Sequence, residues 1–165
     1  MYLIVAKYTD DAERKRIDYA IERWKTVAGV EKPEGVPILF KDEKVEDFVE
    51  DLYSRLSREN VSVYSLNDVS FEIEKEEISI ETTLEGDLET IRKFLGFIMA
   101  KQKGVLITET ESERIYEVST RKGKADVSIN LSTGGRVRIL ISGYGDALGL
   151  IREKIESEIR YFKEV

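Results

Sequence analysis

The stretch "ERIYEVSTRKGKADVSINLSTGGRVRILISG", residues Glu113 to Gly143, holds three runs in which apolar and polar side chains alternate, separated by two glycine-bearing turns. Tyr116 and Val118, Val127 and Ile129, and Ile139 and Ile141 repeat at period two, the pattern of half-buried antiparallel strands. The Lys122-Gly123 pair reads as a two-residue turn, which sets Val118 opposite Val127 and Tyr116 opposite Ile129. At "LSTGGRV" a two-residue loop would pair an inward side chain with an outward one. A three-residue loop, Thr133-Gly134-Gly135, is therefore predicted, with Ile129 opposite Ile139. Glu117, Ser128 and Leu140 then share one row of the outer face, and Ile115, Asn130 and Arg138 the next. That face is polar and of mixed sign.

Working outward, "ISGYGDALGLIREKIE" runs from the last strand through a glycine turn into a helix with Leu148, Ile151, Ile155, Ile159 and Phe162 on one stripe. Gly143, Gly145 and Gly149 match the local context of a dinucleotide loop, but too little chain follows for a second strand and Asp146 stands where a phosphate would lie. The turn is read as a helix start, with Asp146 as N-cap and Gly149 allowing helix and sheet to approach closely. Upstream, "EGDLETIRKFLGFIMAKQKG" predicts a helix capped by Asp87 and ended by Gly104, with Leu88, Ile91, Leu95, Ile98 and Met99 inward. Before it, Val69, Phe71 and Ile73, then Ile78, Ile80 and Thr82, alternate about an "EKEE" turn and predict a hairpin. From Ile78 onward the order is β-α-β4-α. On element order alone this resembles one repeat of the TATA-box-binding-protein-like fold, over roughly residues 77–165. In that family the open sheet face binds bent DNA through an apolar surface and phenylalanine wedges. Here the outer positions are Ser79, Glu81, Glu117, Asp126, Ser128 and Asn130, so the resemblance implies the shape without the DNA-binding surface.

The first 70 residues read differently. "YLIVAKY", the run Ile38 to Phe40 and "VSVYSL" predict three strands. Between them lie a helix capped at Asp10 and Asp11, with Ile17, Ala20, Ile21, Trp24 and Val27 on one face, and a second with Val45, Phe48, Val49, Leu52 and Leu56. The expected fold class is α+β: an N-terminal β-α-β-α-β unit, residues 1–70, followed by an antiparallel β-α-β4-α portion, residues 71–165, as two lobes or one shared domain.

Composition narrows the chemistry. Neither cysteine nor histidine occurs, which removes disulfides, thiolate nucleophiles, imidazole bases and the usual zinc ligands. No catalytic residue, cofactor or metal site is assigned. Gln102 is the only glutamine, and asparagine occurs at Asn60, Asn67 and Asn130, while 36% of residues are charged. This bias resembles that of thermophile proteins. The net charge is −7, and of the 26 basic and 33 acidic residues the part before Ser70 holds 11 and 15, leaving 15 and 18 after it. Neither part is basic, so nucleic acid is disfavoured. No apolar run reaches the length of a membrane span, and no signal peptide is read at the start, so a cytoplasmic location is expected.

Two charged surfaces are candidates for binding. Asp42, Glu46 and Glu50 line one row of the second helix, and Glu43, Asp47 and Asp51 its neighbour, a face whose like charges repel and which a basic protein partner would relieve. Arg121, Lys122 and Lys124 lie around one turn with Arg136 and Arg138 two strands along, a set that would meet phosphates. The function expected from the sequence is that of a non-catalytic interaction protein, a small cytoplasmic subunit or adaptor. A nucleic-acid-binding module and a small-ligand binder with a pocket under the C-terminal helix are the alternatives, and self-association is compatible with each.

Overall fold

The computed structural model describes residues 2–164 and divides into two compact units, Met1–Phe71 and Glu72–Val165. Its helices are α1 (Asp11–Lys25), α2 (Val45–Tyr53), α3 (Leu88–Lys101) and α4 (Ala147–Glu164). Its strands are β1 (Glu76–Thr83), β2 (Val105–Glu109), β3 (Glu113–Thr120), β4 (Gly123–Ser132) and β5 (Arg136–Gly143). The class is α+β, and the second unit has the order β-α-β4-α around one antiparallel sheet, β1-β5-β4-β3-β2.

Period-two alternation decides which face of the sheet is covered. Ile80, Tyr116, Val118, Val127, Ile129, Val137, Ile139 and Ile141 point one way and are buried with Ile91, Leu95, Ile98 and Met99 of α3 and Leu148, Ile151, Ile155 and Ile159 of α4. Phe94 and Phe162 stack at 4.0 Å between ring centres and join the two helices. The opposite face has no buried residue.

The Thr133–Gly135 loop is as expected, with Ile129 opposite Ile139. Gly134 and Gly135 have φ of 76° and 71°, and a Cβ on Gly135 would lie 2.1 Å from the Leu84 carbonyl oxygen. Leu84 N–H donates to the Gly135 carbonyl at 2.9 Å, so the loop is tied to the exit of β1 at a distance only glycine allows.

The other turn differs from its expected register. Arg121-Lys122 forms the loop and Gly123, at φ 143°, follows it, which pairs Val118 with Ala125 and Tyr116 with Val127. Thr120 explains this choice: its hydroxyl accepts from Lys122 N–H at 3.1 Å and donates to the Gly123 carbonyl at 3.0 Å. The displacement is two residues, so every inward side chain stays inward while the outer rows are re-paired.

Helix ends follow ordinary capping chemistry. Asp10 accepts from Glu13 N–H at 2.7 Å, and Asp87 from Thr90 N–H at 2.8 Å and the Thr90 hydroxyl at 2.7 Å. At the end of α3 the left-handed residue is Lys103 (φ 56°), not Gly104; a Cβ on Gly104 would sit 3.5 Å from Tyr116, so Gly104 answers to close packing. Gly149 has nothing within 4 Å and faces solvent, contrary to the close approach expected there.

The N-terminal β-α-β-α-β expectation holds for its helices and not for its strands: none of the described residues before Glu76 lies in a strand. Ile4, Leu39 and Val63, inside the three expected strands, are 85%, 65% and 58% exposed. Of the hairpin expected about the "EKEE" turn only the second arm forms, as β1; the first is not a strand, and Phe71 and Ile73 are exposed. An apolar run supplies side chains suited to a strand but no information about a partner edge, and a strand exists only through its ladder.

Gly135→Ala is expected to destabilise the second unit by at least about 2 kcal/mol, through its positive φ and the clash with Leu84. Gly149→Ala, on an exposed helical position, is expected to stabilise it by about 0.5–1 kcal/mol. Urea unfolding followed by far-ultraviolet circular dichroism measures both.

Candidate functional site

The face of the sheet opposite α3 and α4 carries most of the charged strand positions singled out by the sequence. Its central row runs Ile115, Ser128, Leu140 and Ser79 across β3, β4, β5 and β1. On one side lie Glu113, Asn130, Arg138 and Glu81, and on the other Glu117, Asp126, Ser142 and Glu77. The carboxylates Glu77, Glu81, Glu113, Glu117 and Asp126 exceed by one the cations Lys124, Arg136 and Arg138 of this face together with Lys75, which reaches Asp126.

Its most ordered part is a half-buried cluster on β3 and β4. Glu113 Oε1 accepts from the Ser128 hydroxyl at 2.5 Å and from Asn130 Nδ2 at 3.2 Å. Around it, Arg138 lies 3.5 Å from Glu81, Lys124 lies 3.5 Å from Glu117, and Lys75 donates to Asp126 at 2.9 Å. The hydrogen bond and negative charge of Asp126 raise the pKa of Lys75 above its ordinary value. Sequence reasoning missed Glu113 because the expected turn would have set it opposite Ser132 instead of Asn130. Reading Thr120 as the residue that closes the turn would have found it.

The basic set is not one cluster. Arg121, Lys122 and Lys124 stand at the β3–β4 turn, whereas Arg138 is level with Asn130, six positions further along β4, and Arg136 lies beyond it beside Ser132. At ~3.3 Å per residue that separates Lys124 from Arg138 by roughly 20 Å. Asp126 and Glu117 lie between. Antiparallel connection through the Thr133–Gly135 loop carries the chain to the far end of the sheet before Arg136 begins β5, which proximity in sequence conceals.

The acidic face is shorter than expected. Glu46, Asp47, Glu50 and Asp51 are exposed on α2, but Asp42 and Glu43 precede the helix, where Asp42 accepts from Lys44 N–H at 3.0 Å. Asp51 is held by Arg55 through two hydrogen bonds at 3.1 and 3.0 Å. That guanidinium lowers the Asp51 pKa, chiefly through the hydrogen bonds, and Asp51 in turn raises that of Arg55.

Neither described hollow lies beneath α4. An open groove of about 580 Å³ in the first unit is lined by two ion pairs, Lys32 with Asp18 at 2.6 Å and Lys25 with Glu22 at 2.6 Å, and by Glu31 and Glu34. The hydrogen bond from Lys32, and then its charge, lowers the Asp18 pKa. A crevice of about 20 Å³ between Arg92, Leu95 and the β2–β3 turn has room for about one water. Among the described residues no polar or charged side chain is buried, and no group of three or more carboxylates is placed to hold a metal ion. No protein-family model and no curated protein matches the chain.

Two outcomes are expected. Glu113→Ala removes the acceptor shared by half-buried Ser128 and Asn130 and should cost about 1–2 kcal/mol in urea unfolding. For Asp51 the folded pKa lies below the unfolded one, so its stabilising contribution is present above the ordinary aspartate range, about pH 4, and is lost as pH falls through the lowered value. Carboxyl NMR should give a midpoint for Asp51 below the ordinary value, and Arg55→Gln should return it upward.

Proposed function

We propose that this chain is a non-catalytic interaction protein, a small cytoplasmic subunit or adaptor, and that it meets another protein through the open face of its sheet. The observation that carries the reading is the composition of that face. Short hydroxyl side chains, Ser79, Ser128 and Ser142, stand along it; Glu113 is fixed in place by hydrogen bonds; and the surrounding carboxylates outnumber the cations. A hydrogen-bonded surface of net negative charge suits a basic protein segment, whose approach it would steer and whose register it would select. The acidic side of α2, with Glu46, Asp47, Glu50 and Asp51, offers a second surface of the same sign.

The resemblance to a single TATA-box-binding-protein-like repeat supports a face made for macromolecular contact. Carboxylates where that family has apolar residues and phenylalanine wedges favour protein over DNA. Separation of Arg121, Lys122 and Lys124 from Arg136 and Arg138 weakens the nucleic-acid alternative, since contiguous phosphates would meet carboxylates between them. Leucine and isoleucine side chains of α4 pack where the small-ligand alternative would need a pocket, which weighs against it. A chain with no histidine or cysteine, and no buried carboxylate, lysine or arginine among the described residues, has little with which to build a reactive centre.

Affinity capture from the native cell extract should retain a reproducible protein companion. The double charge reversal Glu81→Lys with Glu117→Lys should lower its recovery about tenfold with the circular dichroism unchanged. Recovery unaffected by that variant, or salt-dependent binding of labelled DNA or RNA by the wild type, would overturn the reading.

A further inference from the structure

The surface that a folded protein exposes follows from its size. Two separate lobes of the sizes of Met1–Phe71 and Glu72–Val165 would together expose about 10,000 Å². This chain exposes 13284 Å², roughly 3,000 Å² beyond even that limit. Every buried residue among those described belongs to the second unit, so the surplus lies on the first, where Ile4, Val36 and Leu39 are among the exposed apolar residues. Each partner gives about 800 Å² to a standard interface, and a surplus several times larger is on the scale that obligate homodimers bury.

The charges of the first unit are sorted by helix in a way that one copy does not use. Among the described residues, Lys15 and Arg16 of α1 have no ion partner, and neither have Glu46, Asp47 and Glu50 of α2. At helical spacing Lys15 and Tyr19 share one row of α1, with Arg16 and Trp24 in the next, and Glu46, Glu50 and Tyr53 share one stripe of α2. Tyr19, Trp24 and Tyr53 are exposed. Phe40 stacks on Phe48 of α2 with ring centres 5.2 Å apart, which brings the exposed run Ile38 to Phe40 beside that helix. The α1 stripe, basic then aromatic, spans about 13 Å, and the α2 stripe, acidic then aromatic, about 10 Å. The two match in charge and in length when the helices run the same way.

We propose that α1 of one copy packs against α2 of a second copy, and α2 against α1, in a two-fold symmetric dimer formed through the first units. Lys15 and Arg16 meet Glu46 and Glu50 of the other copy, and Tyr19 and Trp24 meet its Tyr53. One pairing serves twice, because the axis repeats it. Water leaving the aromatic ends drives association, and the ion pairs select the partner and its direction. The inference rests on the reading of the acidic side of α2 as a protein-contact surface and names its partner; it is separate from what the open sheet face binds.

Sedimentation equilibrium of the full chain should give twice 19.0 kDa at micromolar concentration. Lys15→Glu with Arg16→Glu sets acid against acid at both contacts, and Glu46→Lys with Glu50→Lys sets base against base. Each double variant alone should associate at least about tenfold more weakly. Mixed in equal amounts, the two should recover the dimer, since the acidic α1 of one then meets the basic α2 of the other and both remaining faces are wild type. Glu81→Lys with Glu117→Lys should leave the mass at two chains, which separates this dimer from the companion of the sheet face. A wild-type mass of one chain at about 100 μM overturns the proposal. So does a dimer indifferent to either double variant, or a mixture that stays monomeric.

Discussion

One-sided burial is the constraint on which the second unit depends. The inner side chains of the sheet are covered by α3 and α4, and a strand slipped by one residue would turn Glu117, Asp126 and Arg138 into that core. Apolar burial of this kind fixes the parity of every strand. It does not fix register within that parity, because a slip of two residues keeps each inward side chain inward. The remaining choice falls to the turns: a threonine hydroxyl selects the Arg121-Lys122 loop, and a glycine pressed against Leu84 holds the Thr133–Gly135 loop. Local hydrogen bonds worth about 1 kcal/mol each thus decide which polar residues become neighbours on the open face.

The same constraint governs electrostatics. With no polar side chain buried among the described residues, charge is confined to solvent-facing surfaces, where ion pairs such as Arg55–Asp51 and Lys75–Asp126 are screened and individually weak. Their bearing on function is through the sign and placement of charge, which steer association and reject wrong partners, more than through stability. Glu113 is the exception in kind, since it is held half-buried by two side chains of the neighbouring strand β4.

Sequence periodicity located α1 to α4 and the β-α-β4-α order because amphipathic stripes and strand alternation are local properties, set by where each side chain falls along its own element. It also identified the Asp10 and Asp87 caps and the Thr133–Gly135 loop. It overreached at "YLIVAKY", Ile38 to Phe40 and "VSVYSL", where apolar runs were read as strands although no partner can be read from such a run. It placed Asp42 and Glu43 in a helix that begins at Val45, because like-charged acidic residues carry no boundary signal of their own.

The sequence by itself determined the class, the helices, the inward set of the sheet and the poverty of reactive side chains, since each follows from composition or from a repeat of a few residues. Tertiary structure alone decided that Glu113 meets Ser128 and Asn130, that Arg121 and Arg138 stand at separate ends, and that β1 and β2 form the two rims of the sheet. Those are relations between strands distant along the chain, and they depend on which loop closes each turn and on which strand is left at the rim.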